Sequence, residues 1–182
     1  MKDHLETPKT TSKRSRPGLS SVDIYAAQCV KCMKWRIIST QEEFEEIRSK
    51  VKQEPFVCSR KPEVSCEDPA DIEYDSSRTW VIDKPNVPKT PAGFKRSLVL
   101  RRDYSKMDVY YIAPSGKKMR TRNEIAAFLK DNPAYKDVSP EHFEFGGPKV
   151  MEDTLPPDVV LKKRSASSTS SNRKTKKEVA DL

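Results

Sequence analysis

Four cysteines, Cys29, Cys32, Cys58 and Cys66, are the only ones in the chain, and their spacing constrains its fold more than any other feature. A Cys-x2-Cys pair puts two thiols on one tight turn, facing the same side. A second pair brought alongside completes a tetrahedral sulfur site with bonds of about 2.3 Å, a geometry that suits zinc. The amino-terminal run MKDHLETPKT lacks the apolar core of a secretory leader. The expected surroundings are therefore reducing, and the thiols are expected to hold metal rather than pair as disulfides. With all four thiols used the site is closed. One structural Zn2+ is expected, with no coordination position left for water or substrate.

The segment between the Cys pairs supplies the rest of a small module. Thr40 followed by Glu43 is a capping-box pattern. It opens QEEFEEIRSKVK, with Phe44, Ile47 and Val51 on one helical face and Pro55 closing the run. Glu42, Glu43, Glu45 and Glu46 read as the solvated side of that helix. His4 and His142 are the only histidines. No nucleophile–base pair and no Gly-rich phosphate loop stand out, so a binding protein is expected rather than an enzyme.

Charge divides the chain. Residues 21–78 carry 9 basic and 12 acidic side chains, whereas residues 79–150 carry 14 and 8. A basic globular segment points to a polyanion partner. The apolar share of 35% is below the roughly 45–50% of globular domains, so part of the chain is expected not to fold. The ends are that part. KTTSKRSRPGLSS and KKRSASSTSSNRKTKKEVADL hold too few large apolar groups to offset an ordering cost of about 1–2 kcal/mol per residue. Lys162-Lys163-Arg164 and Arg173-Lys174-Thr175-Lys176-Lys177 flank a Ser-rich spacer. This is the layout of a bipartite nuclear import signal, and the nucleus is the expected location. No stretch approaches the ~18 apolar residues of a membrane span, so no membrane partner is expected. The expected organisation is a disordered basic tail at 1–20, a metal module at 21–78, a basic domain at 80–150 and a disordered basic tail at 151–182.

In the basic domain, Pro85, Pro88 and Pro91 hold the approach extended. Residues 93–102 and 108–112 read as strands rich in β-branched and aromatic side chains. Pro114-Ser115-Gly116 reads as a turn, and residues 117–120 as the returning arm of a hairpin. Thr121 and Glu124 form a second capping box, opening a helix with Ile125, Phe128 and Leu129 on one face and ending at Asn132-Pro133. The class is α+β: a small β-sheet with one helix on its back, after a small metal-stabilised module. Arg101 and Arg120 fall near the ends of neighbouring β elements, where Asp108 and Glu124 are placed to hold them. A guanidinium locked by a carboxylate presents its remaining N–H groups as a fork that fits O6 and N7 of guanine. The plainer reading of the same residues is two surface salt bridges of little energetic effect.

Two resemblances sharpen this. The run Gln28-Cys29-x-x-Cys32-x-Lys34-Trp35-Arg36, then Phe56-x-Cys58, then Cys66, resembles the CW-type zinc finger. Many such fingers bind methylated lysine of the histone H3 tail in an aromatic cage. The resemblance implies the H3 tail as a ligand and Trp35 as one cage wall. The other wall position is Ala26 here, with Tyr25 beside it as the candidate replacement. Adjacent strand residues face opposite sides, so methyl-lysine binding is expected to be weak or absent.

Residues 80–150 resemble the methyl-CpG-binding domain. The resemblance is carried by Gly93-Phe94-x-Arg96, Arg101, Asp108-Val109-Tyr110-Tyr111, Pro114-x-Gly116-Lys117-Lys118-Met119-Arg120, Glu124-Ile125 and Phe143-x-Phe145. It implies that Arg101 and Arg120 each read one guanine of a CpG step and pack against a 5-methylcytosine methyl group. Asp108 is implied to orient Arg101 and meet the cytosine edge, Tyr110 to lie near a methyl group, and Glu124 to support Arg120. Lys95, Lys117 and Thr121 are the implied phosphate contacts, which position without specifying sequence. Phe94 stands where the family usually has Trp, Met119 where it has Phe, and the turn after Arg101 is short. A CW finger followed by this domain resembles the plant methyl-CpG-binding-domain proteins. The expectation is a nuclear chromatin and transcription regulator that binds double-stranded DNA at CpG, methylated or not, alongside chromatin-modifying complexes. A protein-interaction adapter that keeps both folds but has lost both selectivities is the competing expectation.

Overall fold

The structure, a computed structural model, describes residues 21–171. The tail 1–20 and the second basic cluster of the import pattern lie outside the described residues. Among those described, no helix is long and apolar enough to cross a membrane.

The first module is a hairpin and a helix. Strands β1 (Tyr25–Gln28) and β2 (Trp35–Ile38) pair antiparallel, Tyr25 opposite Ile38 and Gln28 opposite Trp35. Met33 closes the turn between them with φ 61° and donates its N–H to the Cys29 carbonyl at 2.8 Å. Helix α1 (Gln41–Ser49) starts at Thr40, whose hydroxyl accepts the Glu43 N–H at 3.1 Å. It ends before the expected position because the N–H groups of Gln53 and Glu54 turn back to Lys50. Ala27, Ile38, Ile47 and Phe56 form the small interior together with Cys29 and Cys58.

The second module is an antiparallel sheet of β4 (Lys95–Leu100), β5 (Met107–Ile112) and β6 (Lys118–Met119), in that order, backed by α2 (Arg122–Asp131). Along β5 the side chains alternate. Met107, Val109 and Tyr111 are buried, while Asp108, Tyr110 and Ile112 face outward. The buried set packs with Leu98, Met119, Ile125, Phe128 and Phe143. Phe94 meets Phe128, Tyr135 and Phe143 edge-on at 6.0, 5.4 and 5.2 Å. Phe94 fits this aromatic cluster after Gly93, whose φ of +84° disfavours any side chain and where a Cβ would lie 3.0 Å from Pro114 Cγ. A two-residue ladder, β3 (Val81–Ile82) with β7 (Lys149–Val150), closes the module.

Two expectations are corrected here. The second domain does not stop at 150. Thr154 and Leu155 are buried, and Leu155 lies in the same core. A third helix, α3 (Pro157–Ser171), lays Val159 and Val160 against it. Leu155, Val159 and Val160, near the start of that tail, carry it onto the core. Glu45 is not on a solvated face either. It is buried, accepting the Thr90 N–H at 2.9 Å and the Gln41 amide at 3.0 Å.

The modules are joined by a buried ion cluster. Arg48 of α1 and Arg96 of β4 both donate to Asp83, at 2.8 and 2.6 Å, and no side chain of the three exceeds 6% exposure. Gln41 adds a hydrogen bond to the Arg96 carbonyl at 2.8 Å, and Arg48 another to the Pro88 carbonyl at 3.1 Å.

Candidate metal centre and nucleic-acid interface

The turn of the β1–β2 hairpin and the loop after α1 bring Cys29, Cys32, Cys58 and Cys66 together, with all four sulfurs within 4.8 Å of one another. Cys29 and Cys66 are 3.8 Å apart, Cys32 and Cys58 3.6 Å. Tetrahedral bonds of about 2.3 Å separate sulfurs by about 3.8 Å, whereas a disulfide needs about 2.05 Å. The donor set therefore fits one tetrahedral metal ion. Its electrostatics agree. Burial opposes the Cys29 thiolate, yet backbone N–H groups around the turn outweigh it and bring the thiol down to about 6. The Cys32 sulfur and burial push Cys66 up to about 12. Sulfurs this close cannot all ionise alone, and a divalent cation removes that conflict.

Arg36 is the residue that sequence reading passed over. It is fully buried, donating from Nε to Cys58 Sγ at 3.2 Å, from Nη1 to Asp71 at 3.1 Å, and from Nη2 to the Ser65 and Asp68 carbonyls at 2.9 and 3.1 Å. The Cys58 and Asp71 hydrogen bonds raise its pKa further above its ordinary value. One guanidinium thus ties the metal-binding sulfur to the 65–71 loop. Its place directly after Trp35, in an alternating strand, was the available signal.

The structure does not assemble the aromatic cage. Tyr25 lies opposite Ile38, on the buried side of the hairpin, and packs on Phe44 with centroids 5.2 Å apart. Trp35 lies on the other side, with Gln28 and Ala26. Strand alternation separates the two proposed walls. Trp35 instead packs on Trp80 at 5.0 Å, and Trp80 on Tyr74 at 5.1 Å. The start of the second module thus meets the Trp35 ring, which stays half-buried along a cavity lined also by Ala26, Gln28 and Ile72.

On the second module, the outward face of β4–β6 gathers the predicted reading residues. Arg101, at the end of β4, is held by Asp108: its Nε meets Oδ2 and its Nη2 meets Oδ1, each at 3.0 Å. This hydrogen bonding raises the Arg101 pKa. The outer edge of the guanidinium, formed by its two terminal amino groups, remains directed to solvent, and the side chain is 46% exposed. Tyr110 lies two residues along from Asp108 on the same face. Arg120 joins it, its guanidinium carbon 6.0 Å from the Tyr110 ring centre.

Glu124 does not support the Arg120 side chain. Its carboxylate accepts the backbone N–H of Arg120 at 2.7 Å, while its own N–H goes to Thr121 Oγ1 at 3.1 Å. The Thr121 hydroxyl caps α2, satisfying one of the first helical N–H groups, while the Glu124 carboxylate ties down the residue before the cap. Among the described residues the Arg120 guanidinium makes no salt bridge. Lys95 is exposed at the start of β4, opposite Ile112. Lys117 lies toward the helix side, its ammonium 5.8 Å from the Phe128 ring centre. Lys118 shares the outward face with Lys95: it also opposes Ile112 and places its ammonium 3.8 Å from the Tyr110 ring centre. Counting alternation back from Met119 would have found it.

These two sites correspond to two known families. The methyl-CpG binding domain matches residues 80–153, and the CW-type zinc finger matches residues 25–72. Methyl-CpG-binding domain-containing protein 4 of Arabidopsis thaliana is 57% identical over 164 residues, which span 88% of this chain and 88% of that protein. The chain belongs to the methyl-CpG-binding-domain proteins. Methyl-CpG-binding domain-containing protein 1 of the same plant is 58% identical over 154 residues, 85% of this chain and 75% of that one. The human Methyl-CpG-binding domain protein 2 is 35% identical over 71 residues, 37% of this chain and 16% of that protein. In this member of the family the methyl-CpG-binding domain runs past 150, in agreement with the buried Thr154 and Leu155.

Proposed function

We propose that this methyl-CpG-binding-domain protein is a nuclear chromatin protein that regulates transcription by binding double-stranded DNA at CpG steps through the outward face of β4–β6. The observation that carries this reading is Arg101, fixed by Asp108 through two bonds of 3.0 Å while its outer edge stays open. A fork held in advance needs no ordering when it meets guanine O6 and N7. Arg120 reads the second guanine, and the Tyr110 ring offers apolar surface to a cytosine methyl group. Lys95, Lys118 and the Thr121 hydroxyl contact phosphates. The names of the relatives support the substrate class.

One Zn2+ on Cys29, Cys32, Cys58 and Cys66 cross-links the finger and supplies no reaction, consistent with a binding protein rather than an enzyme. The finger acts as a structural support for the DNA-binding module. Trp35 packs on Trp80, which supports weak or absent binding of a methylated histone H3 tail. Titrating methylated, hemimethylated and unmethylated CpG duplexes at fixed salt tests the reading. Tighter binding to any CpG duplex than to its GpC isomer is expected, and equal binding overturns base readout.

The adapter reading, in which the two folds bind partner proteins of a chromatin-modifying complex, is favoured by one observation. Arg120 has no carboxylate fixing its guanidinium. The same titration decides it, since an adapter shows no CpG preference.

A further inference from the structure

The basic cluster Lys162-Lys163-Arg164 is not on a free tail. It sits on α3, whose Val159 and Val160 pack against the same core as Leu100 and Tyr104. Lys163 follows Val159 and Val160 at helical spacing, so it faces the body of the protein. Its ammonium donates to the Tyr104 carbonyl at 3.3 Å and lies 3.9 Å from Glu152. Tyr104 belongs to the tight turn that follows Arg101: its N–H donates to the Arg101 carbonyl at 2.9 Å, and its φ is 57°. The helix is therefore anchored one turn away from the arginine of the reading face.

This placement brings like charges together. The turn carries Arg101, Arg102 and Lys106, and the helix that Lys163 anchors beside it carries Lys162 and Arg164. The acids nearby are Asp103, Asp108, Glu152 and Asp158. Asp108 is committed to Arg101, and Asp103 accepts from the Ser105 N–H and hydroxyl. Lys162 and Arg164 are exposed. Basic side chains on the turn and on the helix anchored beside it make a positive surface suited to a polyanion. The helix has 15 residues, about 22 Å at 1.5 Å per residue, the length of roughly six base pairs.

We infer that α3 is a phosphate-binding extension of the DNA interface, in which Lys162 and Arg164 contact the duplex backbone flanking the CpG step and Lys163 braces the turn that carries Arg101. The partner is duplex DNA itself, recognised through phosphate charge, and the extension makes up for the shortness of the turn. The inference rests on the DNA-binding reading above.

The test uses the full chain and two duplexes, each with one CpG. One extends a full helical turn beyond the CpG on both sides, and the other ends within a few base pairs of it. Binding is measured from about 50 to 200 mM salt. For Lys162→Gln/Arg164→Gln, the salt slope on the long duplex should fall by nearly two, with affinity near 100 mM lower by roughly tenfold or more. The short duplex should be bound as by the native chain. A defect of folding would weaken both duplexes alike, so an equal loss on both overturns the inference. An unchanged slope on the long duplex also overturns it and leaves the cluster to nuclear import alone. If the native chain binds neither duplex, the DNA-binding reading falls too. Lys163→Met should lower the preference for CpG on both duplexes, because it releases the turn below Arg101; a preference unchanged on both removes the bracing role.

Discussion

The finger and the methyl-CpG-binding domain lie side by side but hold themselves together differently. Six buried residues make the finger's interior, and two of them are cysteines. Its largest buried side chain is Arg36, spent on a sulfur, a carboxylate and loop carbonyls. The domain buries twelve apolar side chains, with Phe94, Tyr111, Phe128 and Phe143 interlocked edge to face. Apolar burial contributes about 25 cal/mol per Å2, so the domain has the means to fold alone and the finger does not. Arginine shows the same contrast. Arg36 organises the finger, Arg48 and Arg96 join the modules at Asp83, and Arg101 and Arg120 stay outside to meet a ligand.

The largest effect should come from the metal. Structural zinc contributes on the order of 10 kcal/mol to the folding of small fingers. Cys58→Ser removes one thiolate ligand and leaves Arg36 Nε facing a neutral hydroxyl on a shorter bond in place of the sulfur. Amide hydrogen exchange should show residues 25–72 unprotected, while β4, β5 and α2 keep their protection. Metal analysis of the native chain should return one zinc. Loss of protection in β5 together with the finger would break the comparison, since the domain would then depend on its neighbour.

Next comes the joint itself. Asp83→Asn leaves Arg48 and Arg96 buried without a full charge partner, a change that costs about 3–5 kcal/mol. Urea unfolding should show that loss, with the finger and domain transitions separating. The pH dependence follows from the same carboxylate. Burial opposes its charge, but the Arg96 and Arg48 guanidiniums outweigh burial and hold its pKa below the usual carboxylate range. A depressed pKa stabilises the fold above the unfolded value of about 3.9 and loses that contribution as pH falls through the folded value. Stability should therefore be level through neutral pH and fall only below about pH 4. The Asn variant should lack this component of the acid transition.

What could be read in the sequence was local. The capping boxes at Thr40 and Thr121 gave both helix starts, alternation in 107–112 gave the inner and outer faces of β5, and cysteine spacing gave the metal cluster. The joint was not legible, because Arg48, Asp83 and Arg96 are ordinary charged residues until chain segments far apart in sequence bury them together. Glu45 was misread for the same reason. Trp80 could be read as a lid on a core or as part of the preceding finger, but not as the partner of Trp35, since ring packing across modules leaves no periodic trace. Glu124 was matched to the wrong atom of Arg120: four residues of separation fits a side-chain pair, but a carboxylate at a helix start has unpaired N–H groups closer at hand.

The two reading arginines sharpen the comparison within the domain. Arg101→Lys should reduce CpG binding by tenfold or more, because an ammonium cannot fill the fork between Asp108 and guanine. Arg120→Lys should reduce it less, since the Arg120 guanidinium is unfixed and pays its ordering cost on binding. Fluorescence anisotropy on CpG and GpC duplexes measures both. Equal losses would mean that fixing Arg101 in advance gives no advantage.

The smallest effect separates a carboxylate that holds backbone from one that holds a side chain. In the structure Glu124 serves the backbone N–H of Arg120, and an amide oxygen can accept that bond as well as a carboxylate can. Glu124→Gln should therefore leave both stability and CpG preference near native. Glu124→Ala removes the acceptor and should cost about 1 kcal/mol in thermal unfolding for the hydrogen bond lost just before the helix, with CpG preference still close to native once binding is compared at equal folded fraction. Asp108→Asn behaves differently. It keeps an acceptor but loses the charge and one of the two oxygens that fix Arg101, so CpG preference should fall while stability hardly moves. If Glu124→Gln lowers CpG preference as much as Asp108→Asn does, then Glu124 swings to the Arg120 guanidinium on DNA, and the two arginines are held alike in the complex.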